Sequence, residues 1–175
     1  MQSIAIIPIG QIDPEILRVI SEALQKAFHC RTEIHHEISV LRDAFDMNRK
    51  QYHSTVTLKK VKSLKPDKYT RALGVIDADL YVPEMNFVFG EADIYTGVAA
   101  IISLTRLRQE FYGLNQDKKL FHLRTVKEAI HEIGHTYGLS HCQNPHCIMY
   151  FSITIGDTDK KGPGFCTTCR EKLNL

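Results

Sequence analysis

The sequence of 175 residues lacks several features that mark particular classes of protein. Its 22 lysines and arginines face 20 acidic residues, and a net charge of +2 argues against a dedicated nucleic-acid or membrane-surface binder. No stretch approaches the roughly 20 apolar residues of a membrane span. The first residues lack the basic start and the longer apolar run of a signal peptide. We therefore expect a cytoplasmic protein that binds neither nucleic acid nor membrane.

Repeats, linkers and low-complexity tracts are also absent, which favours a single domain over residues 1–175. Ser3 to Ile9 predicts a buried strand, and Asp13-Pro14-Glu15 is typical of a helix start. That helix should run to about Phe28, before a second strand from Arg31 to Val40. A helix that crosses between two strands predicts that the strands are parallel.

Three more strands are predicted, at Ala72 to Ile76, Asn86 to Ala92 and Gly97 to Leu104. We place Phe87–Glu91 at the sheet edge above a cleft, where its main chain can pair with an extended peptide; an internal strand is the alternative. Asp117 opens a long helix, and residues spaced by three and four predict its core-facing stripe: Leu120, Leu123, Val126, Ile130, Ile133 and Tyr137.

The clearest chemical signal lies on that helix. His131 and His135 are four residues apart, so both imidazoles, which are good zinc ligands, leave the same side. Glu132 lies about 100° further round and can touch a metal-bound water without being a ligand. Gly138 can end the helix in a left-handed conformation and bring up His141 as the third ligand. Three protein ligands leave a fourth position for water, which is typical of catalytic zinc.

Met149 follows His141 by eight residues and completes the metzincin signature, HExxHxxGxxH with a later methionine. We assign Met149 a packing role in the turn beneath the histidines, not ligation. The alternative is a core helix whose histidines are satisfied by hydrogen bonds. That alternative leaves the combination of three histidines and Gly138 unexplained.

Four of the five cysteines follow the helix as a C-x4-C pair and a C-x2-C pair, Cys142, Cys147, Cys166 and Cys169. Four thiolates make a closed structural zinc site, whereas two disulfides are the alternative in a secreted protein. A redox role would need a thioredoxin-like βαβ unit, which this tail lacks. Because Cys142 directly follows His141, the structural zinc would pin the loop that carries the third ligand. Cys30 has no partner in this pattern, so we expect a buried thiol.

The segment from His131 to Met149, followed by Cys166-x-x-Cys169, closely resembles the archaemetzincin family over about 129–169. The resemblance is looser from about 50 to 113. It implies an α/β (α+β) fold of the metzincin type, with a twisted, mostly parallel five-stranded mixed sheet and about three helices. It also implies a boundary between an N-terminal subdomain, 1–138, and a C-terminal subdomain, 139–175, that holds the Met-turn and a four-cysteine zinc.

Two functions compete. The first is a zinc metalloprotease with two zinc ions, in which zinc-activated water attacks a peptide bond and Glu132 acts as general base. The alternative is a non-catalytic zinc protein that binds a peptide or protein partner. Glu132 favours the first, because binding alone needs no general base. A zinc-ribbon nucleic-acid binder using the basic 42–71 segment is weaker, since the whole chain is nearly neutral. We expect a monomer that acts on peptides or proteins.

Overall fold

The computed structural model describes residues 2–174. The helices are α1 (Pro14–Phe28), α2 (Ser54–Leu64), α3 (Lys118–Thr136), α4 (Ile155–Lys160) and α5 (Thr167–Leu173). The strands are β1 (Ser3–Ile9), β2 (Arg31–Ile34), β3 (Phe45–Asp46), β4 (Gln51–His53), β5 (Arg71–Ile76), β6 (Leu80–Tyr81), β7 (Gly90–Ala92) and β8 (Ala99–Ser103). No helix in this range is both long and apolar enough to cross a membrane.

The main sheet has five strands in the order β2-β1-β5-β8-β7. Four of them run parallel, and β7 pairs antiparallel with β8, with Gly90 opposite Ile102. The predicted five-stranded mixed sheet is thus confirmed. A second, small sheet of β3, β4 and β6 was not predicted, because its strands of two or three residues are too short to show periodicity.

Both faces of the main sheet are covered, which explains why β1 is buried throughout and apolar at every position after Ser3. Ile4 and Ile6 belong to the core shared with α1 and α3. The residues that alternate with them belong to the core under α2. Val61 of α2 packs closely on Gly74 of β5, since a methyl group added at Gly74 would lie 2.5 Å from Cγ2 of Val61. This three-layer arrangement fixes α3 beneath the sheet and its last turns beside β7.

Two strand predictions were wrong in length. β2 ends at Ile34 rather than Val40, and beyond it only Ile38 forms an isolated bridge with β1. Polar residues follow Ile34, and this stretch keeps separate hydrogen bonds to β1, from the N–H of His35 to the carbonyl of Ile6 and from the N–H of Ile38 to that of Pro8, rather than a continuous ladder. The predicted strand from Asn86 is regular only over β7, because Val88 bridges to β6 instead of continuing beside β8.

The predicted stripe of α3 was right at its centre and wrong at one position. Ile130 and Ile133 are buried, whereas Leu123 is 42% exposed. In this first half, α3 buries charged residues instead, among them Arg124 and Lys127, because it faces the polar helix α4. The sequence prediction missed α4, a helix of six residues without apolar periodicity.

Candidate functional site

The last two turns of α3 bring the first two histidines together. The Nε2 atoms of His131 and His135 are 3.1 Å apart. The other ring nitrogen, Nδ1, of His131 lies 2.9 Å from the carbonyl oxygen of Ile148, and that of His135 lies 2.7 Å from the carbonyl oxygen of Leu139. Because a carbonyl only accepts, each Nδ1 carries the proton and each Nε2 presents a lone pair. Two acceptors this close repel one another unless a cation lies between them.

The third histidine arrives by a reversal of the chain. Gly138 has a φ of +86°, the left-handed conformation that ends α3, and its N–H donates to the carbonyl of His135 at 2.9 Å. The chain then carries His141 back, with its ring centroid 5.4 Å from that of His131 and 4.8 Å from that of His135. One ring nitrogen of each histidine lies within 4.8 Å of the other two.

This donor set fits zinc. Tetrahedral zinc with bonds of about 2.0–2.1 Å holds imidazole nitrogens about 3.4 Å apart, close to the separation of the two Nε2 atoms on α3. Burial lowers the pKa of His131 well below its ordinary value, and the nearby Lys161 lowers it further. Burial and repulsion from His135 lower the pKa of His141 to about 4. All three rings are therefore neutral near pH 7, as metal binding requires.

A cavity of about 530 Å³ opens in front of the three rings. β7 forms one wall, α3 forms the base, and the segment after Met149 forms the other wall. Most of the lining is apolar, including Phe87, Leu139 and Ile153. Gly90 and Ala92 of β7 border the cavity, and β7 is the end strand of the sheet. The edge strand expected over Phe87–Glu91 is therefore confirmed at Gly90 and Glu91, the residues of that segment that β7 includes.

Glu132 lines the same cavity and is almost completely buried. Burial raises the pKa of its carboxyl well above the ordinary value, repulsion from Glu128 raises it further, and Lys161 opposes both. β7 lies directly on this side chain, since a methyl group added at Gly90 would lie 2.6 Å from Cγ of Glu132. A carboxyl group that lines the same cavity as three converging imidazoles can exchange a proton with a group that reacts there.

Met149 is fully buried beneath the histidines. A methyl group added at Gly134 would lie 2.5 Å from its Sδ, so the sulfur packs directly on the α3 backbone between the two helical histidines. The carbonyl of Met149 accepts a hydrogen bond from the N–H of Cys142 at 2.9 Å. The residue therefore joins α3 to the loop that carries the third histidine.

The four C-terminal cysteines converge on one point, with their Sγ atoms all within 4.8 Å of one another. Sγ of Cys142 is 3.8 Å from Sγ of Cys166, close to the separation of about 3.8 Å that tetrahedral Zn–S bonds of about 2.3 Å require. A hydrogen bond from the N–H of Cys169 lowers the pKa of Cys166 to about 7. All four are free thiols, so the disulfide alternative does not describe this structure.

Cys30 lies apart from this group and is buried, as expected. Burial raises the pKa of its thiol to about 11, which leaves it protonated and unreactive near pH 7.

The sequence prediction missed a charged residue at the cavity, Glu128, and its buried partner, Lys161. Glu128 lines the cavity, and Nζ of the fully buried Lys161 lies 2.9 Å from its Oε1. The position of Glu128, one turn before Glu132 on the same helix face, was a usable signal. The sequence gave no such signal for Lys161, because this residue directly follows α4 and lies 33 residues along the chain from its partner.

Comparisons with known proteins agree with this geometry. The model of peptidase family M54 matches residues 23–175. The archaemetzincin of Methanocaldococcus jannaschii is 42% identical over 170 residues, which cover 97% of this chain and 92% of that protein. The crystal structure of archaemetzincin from Methanopyrus kandleri superposes with a TM-score of 0.87 at 32% identity, covering 99% of this chain and 93% of that one. The crystal structure of a zinc-dependent peptidase from Methanocorpusculum labreanum superposes with a TM-score of 0.83 at 32% identity, covering 98% of this chain and 100% of that one.

Proposed function

Because the chain belongs to peptidase family M54, we propose that it hydrolyses peptide bonds at its three-histidine group, with Glu132 as general base. The chain is a zinc-dependent metallopeptidase of the archaemetzincin kind, and its substrates are peptides or proteins. The assignment of residues rests on one observation. Three neutral imidazoles converge beside a buried carboxyl group at a cavity that a peptide can enter.

His131, His135 and His141 are the proposed ligands of the catalytic zinc. Zinc held there would lower the pKa of a bound water toward about 7 and would polarise the peptide carbonyl. Glu132 takes a proton from the attacking water and returns it to the leaving amine. The carbonyls of Ile148 and Leu139 hold the ring tautomers that this arrangement needs.

The substrate is proposed to bind as an extra strand. β7 is the end strand of the sheet and borders the cavity, so its outer main-chain groups can pair with an extended peptide. The apolar walls then receive the side chains on either side of the bond to be cut. Met149 is proposed to pack beneath the histidines and not to act as a metal ligand.

A second, structural zinc is proposed at the four cysteines, Cys142, Cys147, Cys166 and Cys169. The sulfur spacing supports it, as does the direct link from Cys142 to His141. Residues 139–175 then form a C-terminal subdomain held by this zinc, beside an N-terminal subdomain of 1–138. Free thiols of this kind suit the reducing cytoplasm, where we place the protein as a monomer that does not bind nucleic acid.

The test compares the zinc-loaded protein with Glu132→Ala on a pool of unstructured peptides, with products read by mass spectrometry. Because Glu132 is no ligand, the variant should keep its zinc content and melting temperature, while turnover falls by roughly 10²–10⁴-fold. Glu37→Ala, which removes an exposed carboxyl group, is the control and should cleave as the parent does. Equal turnover in Glu132→Ala would remove Glu132 from the mechanism. Peptide binding without cleavage by the parent would favour the alternative of a non-catalytic binding protein.

A further inference from the structure

A buried ion pair lies beside the cavity, which one of its two members, Glu128, lines. Glu128 is 2% exposed and Lys161 is 0% exposed, and Nζ of the lysine is 2.9 Å from Oε1 of the glutamate. The hydroxyl of Thr158 donates to the same oxygen at 3.0 Å. Among residues 2–174, Glu128 is the only carboxylate within ion-pair distance of this lysine. Both contacts are therefore made to Oε1 of Glu128, by the charge of Lys161 and by the hydrogen bond from Thr158.

The second carboxylate oxygen of Glu128, Oε2, takes part in neither of these two contacts. It accepts no hydrogen bond from any side chain or N–H in the described part of the chain, although Glu128 lines the cavity. A side chain that fills the cavity therefore covers an acceptor that it must either satisfy or leave unpaired.

The rest of the cavity restricts what can satisfy that acceptor. Its walls are apolar and aromatic, as at Phe87, Phe89 and Leu139, so the entering group needs an apolar or aromatic body. Lys161 already neutralises the carboxylate, so a second cation gains little attraction and lies near a buried ammonium group. An uncharged donor at the end of a long side chain meets both requirements.

We propose that Glu128 is a specificity-determining residue, which selects peptides whose side chain beside the scissile bond ends in an uncharged hydrogen-bond donor. Tyrosine and glutamine have this form. The inference rests on the proposed function for its peptide site and adds the class of side chain that the site takes. A site built to hydrogen-bond its ligand rejects an analogue without the donor, because the buried acceptor is then left unpaired.

The experiment measures binding rather than cleavage, so that it stays informative if turnover is absent. Peptides Ala-Ala-Xaa-Ala-Ala with a terminal fluorophore differ only at Xaa, which is Tyr, Phe, Gln, Met or Lys. Fluorescence anisotropy gives their affinities for zinc-loaded Glu132→Gln, in which the lower turnover should leave the peptides intact during the measurement. We expect Tyr to bind roughly tenfold more tightly than Phe, Gln roughly tenfold more tightly than Met, and Lys more weakly than Gln.

The matched variant removes both charges. Glu128→Leu with Lys161→Met, in the same background, replaces the ion pair with apolar groups of similar volume, an exchange that proteins often tolerate. The Tyr-to-Phe and Gln-to-Met ratios should fall to about one. Glu128→Asp, which keeps the lysine partner but withdraws the carboxylate, should reduce both ratios if the double variant does not fold. Equal affinities in the Glu132→Gln background, ratios unchanged in these variants, preference for Lys, or no binding of any peptide would overturn the proposal.

Discussion

At the scale of single residues, Gly90 is the position at which β7 packs directly on the side chain of Glu132. A methyl group there would lie 2.6 Å from both the carbonyl oxygen of Ile101 and Cγ of Glu132. Gly90→Ala should therefore lower the free energy of unfolding by about 1–3 kcal/mol and displace Glu132, reducing turnover further than stability explains. Urea unfolding and peptide hydrolysis measure the two effects.

Gly156→Ala is the control for that substitution. Its methyl group would meet only Oγ1 of Thr154 at 3.6 Å, and alanine is favoured over glycine in a helix such as α4. It should leave stability equal or slightly increased and turnover unchanged. If the two alanine variants behave alike, the close approach of β7 to Glu132 does not matter to the enzyme.

The site residues that the sequence predicted were those whose chemistry has a fixed local spacing. The spacing of four residues between His131 and His135 places both on one helix face. Gly138 marks the chain reversal that brings in His141. The backbone carbonyl that fixes the tautomer of His131 belongs to Ile148, and the partner of Glu128 is Lys161. These contacts cross between elements with no periodic signal, so only the structure reveals them.

At the scale of elements, the buried and periodic segments were predictable and the polar ones were not. β1 and α1 have the predicted bounds. The apolar run of β1 can be buried as one strand, and the N-cap and apolar face of α1 fix where the helix begins and which side packs on the core. β2 and β7 are shorter than predicted, because pairing at a sheet edge depends on what lies beside it. α4 was missed because it meets α3 through charges rather than apolar side chains.

Those charges should matter to stability. The guanidinium of Arg124 makes two hydrogen bonds of 2.7 Å to the carboxylate of Asp159 and a third, of 3.0 Å, to the carbonyl of Leu107. Arg124→Leu should lower the free energy of unfolding by about 1–3 kcal/mol, because it leaves a carboxylate and a carbonyl without their donor. Arg18→Leu breaks an exposed pair with Glu22 and should cost less than about 1 kcal/mol. Equal losses in urea unfolding would mean that the contact between α3 and α4 is no stronger than a surface pair.

At the scale of the whole molecule, the two proposed metal sites differ in their access to solvent. His141 is exposed at a cavity open to solvent, whereas Cys147 and Cys169 of the four-cysteine group are buried. Mild chelation of protein prepared with two zinc ions should remove one ion and abolish hydrolysis, while the second ion and the circular-dichroism spectrum persist. His135→Ala should likewise contain one zinc, and His36→Ala, at an exposed histidine, should contain two. Loss of both ions together, or a parent protein with one zinc, would contradict the assignment.

Because His141 and Cys142 are joined by a peptide bond, we expect the zinc sites proposed at the histidines and at the cysteines to influence one another's affinity. If an ion at the cysteines raises the affinity of the histidines for theirs, then the ion at the histidines must raise the affinity of the cysteines by the same factor, because linkage is reciprocal. A peptide bound in the cavity adds a third member to this cycle. If substrate binds more tightly when the histidines hold zinc, it should raise the affinity of the cysteines for an ion that it does not touch, so that a working enzyme would hold the proposed second zinc more tightly at equilibrium than an idle one.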